Sequence, residues 1–171
     1  MRKSGKRPTG KASALPETEA AWRRGNVGRL MFNGARRFEE RIHATVRAAG
    51  FTDVRYVHLT ILRNMNVGGT RLTTLAARAG MTKQAMGQLV DECERLGIVE
   101  RRADPRDRRA RLISFTTRGR ALLDVVHRGI AAAEAEMEAE IGKRGMAAVR
   151  DALGAYGVER RDSALDEEEA A

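Results

Sequence analysis

The chain has 171 residues, with 32 lysines and arginines against 23 acidic residues and a formal net charge of +9; its sequence pI is near 10.7. That length holds one compact domain, or one lobe with its own oligomerisation helices, and excludes two independent enzyme domains. The charge asks for a polyanionic partner, either nucleic acid or an acidic membrane surface.

Residues 1–16 read as a flexible basic arm. Within residues 1–11, Arg2, Lys3, Lys6, Arg7 and Lys11 come with Gly, Ser and Pro and no large side chain beyond Met1, so nothing there offsets the entropy of ordering them. The arm lacks the apolar stretch and cleavage site of a signal peptide. No run in the chain approaches the ~20 apolar residues of a membrane helix. The lone cysteine, Cys93, cannot build an intrachain disulfide or cysteine metal cluster. A cytoplasmic protein is the expectation.

From Glu17 to Ala49, Val27, Leu30, Met31, Ala35, Phe38, Ile42 and Val46 recur at three- and four-residue steps, the stripe of one long helix ended by Gly50. Residues 17–50 are assigned to dimerisation. A second helix is expected to open at Thr52-Asp53 and bury Val54, Val57, Ile61, Leu62 and Met65 before Gly68-Gly69. It begins a lobe spanning 51–116. Thr73 is the expected N-cap of a short third helix through Ala79; Gly80 makes the turn; Thr82 caps a fourth helix through Leu96, with Gly97 after it. Two helices joined by a glycine turn form a helix-turn-helix.

Ile98–Arg101 and Ala110–Thr116 read as two short strands around the polar stretch RADPRDRR. Six arginines, Arg101, Arg102, Arg106, Arg108, Arg109 and Arg111, fall within eleven residues against Asp104 and Asp107. This is a basic wing. Thr116-Thr117 then caps a long helix with the seam Leu122, Val126, Ile130, Ala133, Met137 and Ile141, and a final helix carries Met146, Val149, Leu153 and Tyr156. Residues 117–157 are expected to dimerise with the first helix, since these stripes exceed what one lobe covers. Residues 158–171 form an acidic tail. The fold class is mainly α with a small β wing.

On the fourth helix Met86, Leu89, Val90, Cys93 and Leu96 share the core face, while Gln84, Gly87, Gln88, Asp91 and Arg95 share the opposite one. Glutamine pairs bidentately with adenine, and glycine permits close approach to a groove floor. Lys83 and the helix N-terminus favour a phosphate. Polar side chains on an exposed helix face usually do no more than keep a protein soluble; the adjoining arginines favour the DNA-binding reading.

The segment MTKQAMGQLVDECERLGIVERRADPRDRRARLISFTTRGRALL resembles the signature region of the MarR family of winged helix-turn-helix regulators. The resemblance covers Thr70–Leu123 closely. It implies that the recognition helix enters the major groove and that the wing, through its Asp-x-Arg element Asp107-Arg108-Arg109, reaches the adjacent minor groove. Arg109 would enter that groove, braced by Asp107, in keeping with the affinity of arginine for narrow, negative grooves. Thr82, Lys83, Gln84 and Gln88 would face bases or phosphates. Thr73, Gly87, Arg102, Arg106 and Arg108 complete the expected DNA-binding set. Gln88 stands where relatives often have a basic residue, and Gly87 where Ser is commoner, so the target sequence does not transfer.

The resemblance also implies a homodimer, usually a repressor, released by a small aromatic or phenolic ligand. Arg55 and His58 are the candidate polar lining of its pocket. Cys93 belongs to the core face, and Trp22 to packing. His43, His58 and His127 have no metal-ligand spacing, no cofactor is implied, and no catalytic motif is visible. The alternative readings are a non-specific architectural DNA-binding protein and, without visible machinery, a small enzyme.

Overall fold

A computed structural model describes residues 25–105, 107 and 110–156. The chain divides into two compact units between Arg37 and Phe38. The basic arm, Trp22 and the acidic tail lie outside the described residues.

Helix α1 spans Val27–Ala48 and crosses the division. The single helix expected from Glu17 is interrupted at Asn26, whose side-chain Oδ1 accepts a hydrogen bond from the Arg29 amide at 2.9 Å. Such a side chain satisfies an orphan amide and starts a new helix. In the first unit Val27, Leu30 and Phe32 are exposed.

The second unit holds the rest of α1 and everything after it. The helix expected from Thr52 takes another form. Residues 52–55 are turn and coil, a 3₁₀ turn covers Tyr56–His58, and α2 is only Leu59–Asn64. Val57 is exposed rather than buried. Asp53 is not a cap for this segment's amides but the partner of Arg118, at 2.7 and 2.8 Å.

A two-residue strand, β1 (Thr70–Arg71), precedes α3 (Leu72–Arg78). The cap position of α3 is therefore Arg71, not Thr73, which lies inside the helix. Helix α4 (Lys83–Arg95) follows, then strands β2 (Val99–Ala103) and β3 (Arg111–Phe115). The antiparallel order is β1-β3-β2. The third strand escaped the sequence pattern because two residues have no period; only pairing of Thr70 with Ile113 and Arg71 with Leu112 defines it.

Helix α5 spans Thr117–Tyr156 with a break at Gly142, where φ is 73°. Its cap is Thr116, whose hydroxyl accepts from the Gly119 amide at 2.9 Å. Gly119 lies against β2's entry: a Cβ there would be 2.0 Å from the Ile98 carbonyl oxygen. Gly129 likewise packs on Ile42. The core joins Val46, Leu59, Ile61, Leu75, Met86, Val90, Ile98, Ile113, Phe115 and Leu122. Helices and one sheet face thereby hold the second helix of the helix-turn-helix in a fixed place.

Candidate nucleic-acid interface

Thr82 caps α4 as its sequence predicts, accepting from the Ala85 amide at 3.2 Å. Gly80 in the turn and Gly97 after the helix both take positive φ, 63° and 66°, the conformations that glycine adopts without steric cost. Met86, Leu89, Val90 and Cys93 are buried, whereas Thr82, Lys83, Gln84, Gln88, Asp91 and Arg95 are exposed. The two faces divide as the period requires. Burial pushes the Cys93 thiol up to about 12, with the Glu92 charge adding to the effect.

Gly87 sits on the outer half of this helix with ample room. The nearest atom to a Cβ placed there would be Leu72 Cδ2, at 4.0 Å, an ordinary contact. Glycine inside a helix costs about 1 kcal/mol relative to alanine, and packing within the chain does not require it here.

The wing is more heavily tied into the lobe than its arginine count implies. Arg101 bonds Asp91 of α4 at 2.7 Å and also pairs with Glu94. Arg102, exposed and in the expected DNA-binding set, pairs with Glu100, its Nε at 2.9 Å. Arg71 donates to Asp104 from Nε at 3.0 Å and Nη2 at 2.8 Å. Asp107 is exposed, and its carbonyl accepts from the Ala110 amide at 2.9 Å. Arg106, Arg108 and Arg109 lie outside the described residues. Thr73 is exposed on α3. Sequence reasoning missed Arg71 altogether and counted Asp104 only as an opposing charge; a contact across 33 residues leaves no local signal.

Arg55 and His58 do come together, and around a third residue. His58 is buried; its Nδ1 accepts from the Arg55 amide at 3.0 Å, leaving the Nε2 hydrogen to face Glu92 at 3.0 Å. The Arg55 guanidinium pairs with the same Glu92 oxygen. The His58 hydrogen bond, aided by the Arg55 charge and against partial burial, holds Glu92 below the usual carboxylate range. Arg118 does the same to Asp53, through hydrogen bonds opposed by burial and then through its charge. An open groove of about 590 Å³ runs along α5 between Ala131 and Arg150, and neither Arg55 nor His58 lines it. Among the described residues no three His, Cys, Asp or Glu side chains gather as for a metal. No described helix is long and apolar enough to cross a membrane.

Residues 50–110, from the end of α1 into the wing, match the model of the MarR family. CouR from Rhodococcus jostii RHA1, solved with p-coumaroyl-CoA, is similar in structure: 27% identity, a TM-score of 0.61, and 75% of this chain on 89% of that one. The match to the MarR family lies within residues 50–110. Two other solved members share the fold. The apo wild-type MarR of E. coli aligns at 18% identity and a TM-score of 0.62, over 77% of this chain and 96% of that one. A Mycobacterium tuberculosis MarR-family protein in complex with salicylic acid aligns at 24% and 0.59, over 78% and 97%. No curated protein matches by sequence. The chain shares with these structures a mainly helical fold and a small three-stranded antiparallel sheet.

Proposed function

We propose that this chain is a MarR-family transcriptional regulator, a cytoplasmic homodimer that recognises a pseudo-palindromic DNA operator through α4 and grips the flanking minor groove through its wing, usually to repress. The observation that carries the reading is the outer face of α4. Gln84, Gly87 and Gln88 stand on the second helix of the helix-turn-helix, behind a Thr82 cap and beside Lys83. The glycine there has no packing reason, and a local rule broken without internal gain marks a functional surface. Close approach to base edges supplies the gain. Thr73, Thr82 and Lys83 suit phosphates; Gln84 and Gln88 suit bases. Arg102, Arg106, Arg108 and Arg109 form the basic wing, with Asp107 bracing Arg109.

Dimerisation rests on the apolar side chains left exposed near both ends, Val27, Leu30 and Phe32 on α1 and Leu153 and Tyr156 on α5. Sedimentation at micromolar concentration is expected to give twice the chain mass. An enzyme reading finds no support. A non-specific architectural binder would share the charge but not the choice of sequence.

The effector we infer is a small aromatic or phenolic acid bound near Arg55 and His58. Its support is their convergence on Glu92 of α4 and the phenolic thioester held by the CouR structure. An acid competing with Glu92 for Arg55 would act directly on the recognition helix. Ligand and DNA must then weaken one another by the same factor. Selection of bound DNA from a random pool tests the reading: an imperfect palindrome with half-site centres about 10 bp apart supports a two-fold dimer, and no enrichment over random DNA refutes sequence-specific regulation. Release of that DNA by phenolic acids tests the effector.

A further inference from the structure

The C-terminal turn of α4 is held from the segment that follows α1. One hold is direct, since His58 and Arg55 of that segment both meet Glu92. The other runs through Arg118, the second residue of α5. Its Nη2 donates to both Asp53 oxygens, at 2.7 and 2.8 Å, and its Nη1 donates to the Leu96 carbonyl at 2.5 Å. Leu96 is the C-cap of α4, and its carbonyl is among the acceptors that a helix end leaves without a partner of its own. The guanidinium also lies over the Phe51 ring, 5.6 Å from its centroid. One planar group therefore joins the segment after α1, the end of α4 and the start of α5 at fixed angles.

Stability alone is a poor reason for this arrangement. The Arg118 and Asp53 side chains are 41% and 44% exposed, and ion pairs so placed contribute little to folding. Geometry is a better one. Gln84 precedes Leu96 by twelve residues, which is about 18 Å along the axis at ~1.5 Å per residue. A tilt of about 5° at the Leu96 end shifts Gln84 by about 1.6 Å, more than the ~0.5 Å within which a binding group must be held.

We propose that Arg118, anchored by Asp53, is a positioning residue for the recognition helix: by joining Asp53 to the Leu96 carbonyl it sets the angle at which α4 presents Gln84 and Gln88 to base edges. This role rests on the DNA-binding reading above. Removing Asp53 makes the chain more cationic, and electrostatics alone would then strengthen its hold on any DNA. A lost angle weakens operator binding instead.

The test uses the full chain with Asp53→Ala, with Arg118→Met, which keeps an apolar stem beside Phe51, and with both. Thermal melting is read together with affinity against salt, well below the melting temperature, on an operator selected from a random pool and on scrambled DNA. Both single variants should melt close to the parent, and the ratio of operator to scrambled affinity should fall about tenfold in each, as for the loss of one good base contact. The double variant should lose no more than either single one, because the two side chains act as a unit. Asp53→Ala should hold scrambled DNA at least as tightly as the parent does. Loss of folded protein lowers both affinities by one factor and leaves their ratio alone, so a ratio equal to the parent's in the folded variants overturns the inference while leaving DNA binding intact. Equal losses on both DNAs with a flatter salt slope, confined to Arg118→Met, make Arg118 a phosphate contact and overturn it as well. A parent chain that binds no DNA, or that prefers no sequence, overturns the functional reading and this inference together. If Arg118→Met fails to fold, Asp53→Ala alone decides between these outcomes.

Discussion

Helix α4 and the wing sheet adjoin in one lobe, yet they offer their surfaces on opposite terms. The helix commits its apolar side wholly to the core, with Met86, Val90 and Cys93 at 0% exposure, and turns outward a face that carries little charge in its first two turns beyond Lys83. The sheet is rich in arginine, but Arg71, Arg101 and Arg102 are all bonded to carboxylates of the same lobe. Counting arginines therefore overstates the cations that face a partner. On the proposed function the difference divides the parts: a nearly neutral helix face suits reading base edges, and the wing's described arginines are engaged within the lobe.

The most severe way to break the comparison is to remove the platform beneath both parts. Gly119→Val would push a side chain onto the Ile98 carbonyl just before β2, where even a Cβ would lie only 2.0 Å from the oxygen. We expect a loss of about 3 kcal/mol or more in denaturant unfolding, as for severe overpacking, and failure of specific and non-specific DNA binding together.

Substitutions on the two surfaces sharpen it. Gln88→Ala should relax preference at one base pair per half-site, at a cost on the order of 1–3 kcal/mol, seen by comparing operators altered one position at a time. Arg109→Ala should weaken operator and scrambled DNA alike, by about tenfold. Gly87→Ala should move stability and function in opposite directions. It should raise the melting temperature through a gain of up to about 1 kcal/mol, and it should lower operator affinity by obstructing close approach.

Smaller effects come from titration. Asp53 and Glu92 both hold their protons less tightly than ordinary carboxylates, so their contribution to stability is complete above the unfolded-state range and is lost as pH falls through the depressed folded-state values. Melting temperature should drop between about pH 5 and pH 3, and less steeply in Asp53→Asn. The smallest effect is expected at Cys93, buried and with its thiol pushed up to about 12: alkylation of the native protein at pH 8 should be negligible and should become complete in denaturant.

The sequence was most legible where one short segment determines its own shape. Thr82, Gly80 and Gly97 announced the helix-turn-helix because caps and positive-φ turns are local chemistry. It misled where a distant partner decided the outcome. Thr73 looked like a cap, but pairing of Thr70 and Arg71 with β3 starts α3 earlier. Asp53 looked like a cap, but Arg118, 65 residues on, claims its carboxylate. Asn26 is the opposite lesson, a local cap signal inside a stripe too regular to suggest a break. Of the candidate site, the outer face of α4 was readable from period alone, whereas the Arg71–Asp104 pair and the meeting of Arg55 and His58 at Glu92 exist only in three dimensions.

The measurement that bears most directly on this division of labour is a paired salt titration of Gln88→Ala and Arg109→Ala on operator and scrambled DNA, after each is shown to fold and to keep the parent's oligomeric state. The account predicts that Gln88→Ala lowers operator affinity alone and leaves the slope of log affinity against log salt nearly unchanged, whereas Arg109→Ala lowers both affinities and flattens the slope by about two units for a dimer. An unchanged slope and affinity in Arg109→Ala, with all binding lost in Gln88→Ala, would contradict it and leave recognition to the helix alone.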